Sequence, residues 1–260
     1  ILAKNIKTQM LLNSTDWLNY SEYCSPNLNN ETTKQVLIES DLTYPKLKGF
    51  KIGHLNIASL PKHIEELKIF LKEIPFDILC INETRLNNSI DINTVGIPGY
   101  DIIRRDRNRN GGGVAIYIRD KLAYTNRNDL MPENLEAICV EIKKPRTKPF
   151  LVSSWYRSPD LNVEIFDSFE IFLRKAEQEN KDIIITGDLN CNLLSVEDNT
   201  QVKKLKNLMH TYQLRQHITT PTRITRISQS LIDIVLTKVD DTKTSDSGVI
   251  HVGISDHSLV

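Results

Sequence analysis

The feature that most constrains this chain is a series of short, nearly continuous apolar runs, most of them closed by a polar cluster. "FKIGHLNI", "FDILCINET", "GVAIYIRD", "LEAICVEIKK", "PFLVSSWYRSP" and "DIIITGDLN" are too short for core helices and rich in β-branched residues, so they read as strands. Between them lie segments with helical spacing: "PKHIEELKIFLKEI", opened by Pro61, then "VEIFDSFEIFLRKAEQEN" and "TQVKKLKNLMHTYQL". "LIDIVLTK" and "GVIHVGI" read as two further strands, and the basic turn "KPRTK" joins two earlier ones as a hairpin. An order that mixes strand–helix–strand units with hairpins implies both parallel and antiparallel pairing. Two packed mixed β-sheets flanked by helices, a four-layered α/β sandwich, accommodate it.

Composition excludes several classes. Lys+Arg and Asp+Glu balance at 33 each, so no global field draws the chain to polyanions, and any such binding must come from local clusters. No apolar run approaches the ~20 residues of a membrane span. The four cysteines form no metal-ligand spacing and no disulfide framework, which fits a reducing compartment. Residues 1–48 are rich in Asn, Ser and Thr without a sustained period, as expected of an extension or linker ahead of a domain at 49–260. The start at Ile1, without a leader, is expected of a piece of a longer polypeptide, and "SDHSLV" reads as the turn into a closing strand that is cut.

The polar residues fall in a repeated place. Asn56, Glu83, Tyr156, Asp188 and Asn190 follow apolar runs, Asp233 lies within one, and Asp256-His257 ends another. Singly each has an ordinary role: Asn56 and Asn190 as turn formers, Asp188 as a loop cap, Tyr156 as a rim aromatic, Asp256-His257 as a solvated turn. Together they are harder to dismiss. A buried charge without a partner is costly, so Asp233 between Ile232 and Ile234 needs one. If the strands are neighbours with their carboxyl ends together, these residues converge on an electronegative pocket suited to a divalent cation.

The ordered set "HLNI", "NETRL", "WYRSP", "GDLNCN", "PTRIT…SLIDIVLT" and "SDHS" resembles the endonuclease/exonuclease/phosphatase superfamily, and within it the endonuclease domains of non-LTR (LINE-type) retrotransposons. "YRSP", "PTRIT" and "RRDRNRNGGGVAIYIR" carry the likeness to the retrotransposon branch. The resemblance implies a Mg²⁺-dependent phosphodiester hydrolase, with Mn²⁺ as a substitute, that nicks double-stranded DNA in the nucleus to leave a 3′-hydroxyl primer. A C-terminal reverse transcriptase would follow in the full polypeptide. Abasic-site repair enzymes of the superfamily usually carry an acidic residue where this chain has Ala58, which counts against repair and leaves Glu83 with more of the metal binding. The remaining alternatives are a lipid phosphodiesterase, an inositol phosphatase, or a DNA-binding remnant without activity.

Phosphodiester hydrolysis needs an activated water and neutralisation of charge on the phosphate. On the resemblance, Asp188 and Asn190 align the water, Asp233 orients His257, and either Asp188 or His257 takes the proton. Glu83 and Asp256 bind the metal, Asn56 and Tyr156 donate to phosphate or metal ligands, and Ser255 and Thr222 support them. For DNA, two basic clusters stand out: Arg104, Arg105, Arg107 and Arg109, and Lys143, Lys144 and Arg146. Each is equally compatible with a solvated loop.

Overall fold

The computed structural model describes residues 49–239 and 245–260, together with the backbone of a two-residue strand, β1 (Gln9–Met10). The rest of the proposed 1–48 extension lies outside the described residues. Two mixed sheets form the centre. The first has the order β2 (Ile52–Asn56), β3 (Ile78–Asn82), β5 (Val114–Arg119), β4 (Tyr100–Arg105). Its parallel pair, β2 and β3, is joined through α1 (Leu60–Glu73). The second has the order β10 (Arg215–Gln216), β13 (Asp233–Lys238), β9 (Ile183–Asp188), β8 (Phe150–Tyr156), β7 (Glu136–Lys143), β6 (Ala123–Asn126). There the parallel pair, β8 and β9, is joined through α2 (Ile165–Gln178), and α3 (Thr200–Thr211) follows β9.

Strand alternation explains the layers. Ile78, Cys80, Val114, Ile116 and Ile118 of the first sheet pack with Ile138, Val140, Ile142 and Val152 of the second. The intervening residues Leu79, Ile81, Ala115 and Tyr117 face outward and are covered by Leu60, Ile64, Leu67, Phe70 and Leu71 of α1. Likewise Ala137, Cys139, Leu151 and Trp155 meet Phe166, Phe169 and Phe172 of α2, with Val202, Leu205 and Leu208 of α3 in the same cluster. Both faces of the central strands are therefore buried, which is why they lack a polar alternation. The fold is the four-layered α/β sandwich. Among the described residues, no helix is long and apolar enough to cross a membrane.

Some expectations need correcting. Asp233 does not sit at a carboxyl end: β13 is antiparallel to β9, so Asp233 opens its strand directly opposite Asp188. "GVIHVGI" yields only the short strand β14 (Ile250–His251), paired with β1, before Gly253 turns the chain at φ 67°. Arg104 and Arg105 lie in strand β4 rather than in a loop. A small hairpin, β11 (Arg223–Ile224) with β12 (Gln229–Ser230), precedes β13. The closing segment pairs on the free edge of β2, with backbone bonds from His54 N to Val260 O at 2.7 Å and from Val260 N to His54 O at 2.9 Å.

Gly187 holds the junction between β8 and Asp188. Its φ is 152°, and a Cβ there would overlap the Trp155 carbonyl oxygen. Gly187→Ala should therefore cost at least about 2 kcal/mol, since the neighbour in the way is backbone and cannot swing aside. Urea denaturation measures this, and a wild-type midpoint would contradict it.

Candidate active site

The ends of β2, β3, β8 and β9, the start of β13 and the closing segment meet at one rim of the sandwich. A cleft of about 230 Å³ opens there, lined by Asn56, Glu83, Tyr156, Asp188, Asn190 and His257 among others. Asp233 lies beneath it with no exposure. Its carboxylate accepts from His257 Nδ1 (2.9 Å to Oδ2) and from His54 Nε2 (3.2 Å to Oδ1). Burial raises the carboxyl pKa, but hydrogen bonds and charge from His257 and His54 outweigh it and hold Asp233 below the usual carboxylate range. An ionised carboxylate only accepts, so both ring nitrogens are donors, and the Nε2 of His257 is left facing Asp188 Oδ2 at 3.9 Å. Burial opposes charge on the His257 ring, yet the Asp233 bond raises its pKa above the ordinary value.

Asp188 experiences the opposite balance. Burial and the nearby Asp233 charge push it up to about 7, against the lowering effects of His257, the Asn190 N–H and the Asn56 amide. Asn190 N donates to its Oδ1 at 2.9 Å, and Asn56 Nδ2 donates to its Oδ2 at 2.8 Å. The same Asn56 Nδ2 reaches Glu83 Oε1 at 3.1 Å, which also accepts from the Tyr156 hydroxyl at 3.2 Å. Arg85 Nη2 donates to Glu83 Oε2 at 3.0 Å. Although half-burial pushes Glu83 up, the bonds from Asn56, Arg85 and Tyr156 bring it below its ordinary value. Ser255 Oγ donates to the Asn56 carbonyl at 2.6 Å and accepts from His257 N at 3.1 Å. Thr222 Oγ1 accepts from the Ile232 and Asp233 amides at 3.2 and 3.1 Å.

The backbone is unusual at the same rim. Ala58, Glu83, Arg85 and Asn190 all line the cleft at φ between 50° and 53°, the left-handed region that non-glycine residues seldom occupy. Such conformations persist only where surrounding bonds hold them, and they concentrate at functional sites.

The donor set suits a hard divalent cation. Two carboxylates, Glu83 and Asp188, converge on one amide nitrogen, and burial, with the Asp233 charge beside it, already lifts Asp188. Ligand atoms of Asp188, Asp233 and His257 also lie within 4.8 Å of one another. Asp256 lines the same cleft as Glu83 and accepts from Arg223 Nε at 2.7 Å.

The rim thus gathers Asn56, Glu83, Tyr156, Asp188, Asn190, Asp233, Asp256 and His257, with Ser255 and Thr222 behind. The basic clusters are divided. Arg107 lies 5.7 Å from the Tyr156 ring and pairs with Glu136 at 3.1 Å, and Arg109 is exposed. Arg104 is engaged by the Ile90 carbonyl (2.8 Å), and Arg105 by the carbonyls of Glu133 and Ala137. Lys143, Lys144 and Arg146 stand at the far end of the hairpin, since Tyr156 pairs with Glu136, seven residues and roughly 23 Å away at about 3.3 Å per residue. Four contributors escaped the sequence analysis: His54, Asn82, Arg85 and Arg223. His54 carried a signal, being two residues before Asn56 and so on the same strand face. Asn82, inside "LCIN", bonds Asp188 N at 2.8 Å and Ser154 Oγ at 3.2 Å across the sheets.

Residues 52–257 match the model of the Endonuclease/Exonuclease/phosphatase family. This chain belongs to that family. Its members are nucleases and phosphatases that generally use divalent metals, so the chain is a phosphoesterase of this family. In fold it is similar to the endonuclease domain of TRAS1, a telomere-specific non-LTR retrotransposon, at TM-score 0.65 and 21% identity over 81% of this chain and 95% of that one. The AP endonuclease LMAP from Leishmania major is similar at TM-score 0.65 and 13% identity, covering 81% and 86%. The human Nocturnin catalytic domain follows at 0.58 and 14%, covering 81% and 92%. None of the curated proteins compared matches the chain.

The lifted Asp188 has a consequence for stability. Its folded-state value of about 7 lies above the ordinary 3.8, so its contribution is fully present below pH 3.8 and lost as pH rises through 7. Asp188→Asn cannot ionise. In metal-free buffer its stability relative to wild type should therefore improve between pH 5 and pH 8 by about 3 kcal/mol, at 1.36 kcal/mol per pKa unit. Urea denaturation at the two pH values reads the difference, and an equal gap at both would contradict it.

Proposed function

We propose that this chain is a Mg²⁺-dependent DNA endonuclease that nicks one strand of double-stranded DNA. The 3′-hydroxyl it leaves would prime reverse transcription for a non-LTR retrotransposon, acting on chromosomal DNA in the nucleus and joined in the full polypeptide to a reverse transcriptase. The observation that carries the reading is the buried Asp233–His257 pair facing Asp188 across 3.9 Å, with Glu83 and Asn56 completing an open, acid-lined cleft. Ala58, where repair enzymes of the family usually carry an acid, and the likeness to the TRAS1 domain support the retrotransposon branch over repair.

In this mechanism Asp188, held by Asn56 and the Asn190 amide, orients the attacking water and accepts its proton. His257, charged through its bond to Asp233, donates from Nε2 to a phosphate oxygen and balances charge developing there. Tyr156 and Asn56 donate toward the same space. Mg²⁺, when bound, supplies further neutralisation of the phosphate and leaving oxygen, and the Glu83 and Asp188 carboxylates are the groups that would hold it. Exposed Arg109 is open to the DNA backbone, and Arg107, near the Tyr156 ring, would reach it by exchanging its bonds to Glu136 and the Gly111 carbonyl.

Supercoiled plasmid incubated with and without Mg²⁺ tests the reading. Open circles that a DNA polymerase can extend are expected only with the metal. Plasmid left intact while phospholipid or an inositol phosphate is hydrolysed would overturn it. Glu83→Ala and His257→Ala should each lower nicking by about 10²-fold or more. Either variant nicking at the wild-type rate would remove that residue from the site.

A further inference from the structure

We propose that Arg223 is a catalytic phosphate-binding residue of this cleft and that Asp256 is its positioning residue rather than a metal ligand. The inference rests on the phosphodiesterase reading above and assigns a group that the reading leaves out.

Arg223 and His257 are directly opposite each other in an antiparallel bridge. Residues so paired project their side chains to the same face, with Cβ atoms about 4.5–5.5 Å apart. The guanidinium is thereby carried alongside the His257 imidazole. Flanking backbone bonds lock the register: Ser258 N to Thr222 O at 2.7 Å, and Ile224 N to Asp256 O at 3.1 Å. The segment that carries Arg223 is thus tied on both sides to the segment that carries the histidine.

The side chain is then aimed by a single contact. Nε donates to Asp256 Oδ2 at 2.7 Å, and neither terminal nitrogen has a partner among the described residues. Arg223 and Asp256 both line the cleft, with side chains 43% and 41% exposed, so the free end of the fork is open to a ligand. A planar guanidinium with unpaired N–H groups matches phosphate oxygens, and it stays charged throughout the accessible pH range. Asp256, for its part, faces a fixed positive charge at 2.7 Å. A divalent ion on the same carboxylate would stand against that charge alone. Glu83 also meets an arginine, Arg85, at 3.0 Å, but it converges with a second carboxylate, Asp188, on the neutral amide of Asn56, so two negative groups can share an ion there. The arrangement divides the work: one pair of carboxylates for the cation, and one carboxylate for the arginine.

The test is a double-mutant cycle on the whole protein, read as nicking kcat/KM and as the Mg²⁺ concentration giving half-maximal rate. Arg223→Gln should lower kcat/KM about 10²-fold, and Arg223→Lys should recover little because a point charge lacks the fork. Asp256→Asn should cost about 10-fold. The double variant should be no slower than Arg223→Gln alone, since Asp256 acts through the arginine. Half-maximal Mg²⁺ should be the same in all of them. Thermal midpoints near wild type, expected of exposed side chains, confirm that each variant is folded. Wild-type rates in Arg223→Gln, or a severalfold rise in half-maximal Mg²⁺ in Asp256→Asn, would overturn the inference. A wild-type protein that nicks nothing at any Mg²⁺ concentration would instead fail the functional reading and take this inference with it.

Discussion

A carboxylate sealed from water must find its charge balanced inside the protein, and Asp233 does so by accepting from two imidazoles at once. The partners come from three places: Asp233 from the second sheet, His54 from the first, and His257 from the closing segment. Thr222 meanwhile caps the backbone that presents the carboxylate. Removing one partner would leave a buried charge short of its hydrogen bonds, a loss of several kcal/mol. The interaction is satisfied only when both sheets and the closing segment are in place. Assembly of the sandwich rim and assembly of the site are therefore one event.

The same rim shows how far the chain departs from what stability alone would choose. Asn82 and Ser154 bond across sheets that elsewhere meet through Ile, Val and Cys. Asp188 is held next to Asp233 at the cost of a raised pKa, and four non-glycine residues sit at left-handed φ. Polar crowding and backbone strain at one end of an otherwise apolar interface fit a site whose excess negative charge is relieved by a cation and a substrate phosphate.

The central strands and all three helices were legible because each must bury an apolar face, and burial writes a period into the sequence. Strands β4 and β6 were not. β6 is largely exposed at the edge of its sheet, and β4 is an edge strand whose last two residues are arginines, so neither carries a continuous apolar run. The site was legible for residues that follow apolar runs, and the family likeness added their order. His54 was passed over because one histidine in an apolar strand usually marks nothing, although its place two residues before Asn56 set it on the same strand face. The second basic cluster stands away from the site for a directional reason: strand polarity sends Lys143, Lys144 and Arg146 to the opposite end of the hairpin from Tyr156. Pairing across strands, as between Arg223 and His257, leaves no trace in linear order at all.

Nitrogen-15 NMR of the histidine side chains tests most directly whether Asp233 organises the site. With both imidazoles donating to its carboxylate, His257 should carry a persistent proton on Nδ1 and His54 one on Nε2, each slow to exchange and shifted downfield. Asp233→Asn should disturb both rings together. A neutral His257 ring protonated on Nε2, or a His54 resonance untouched by that substitution, would contradict the account.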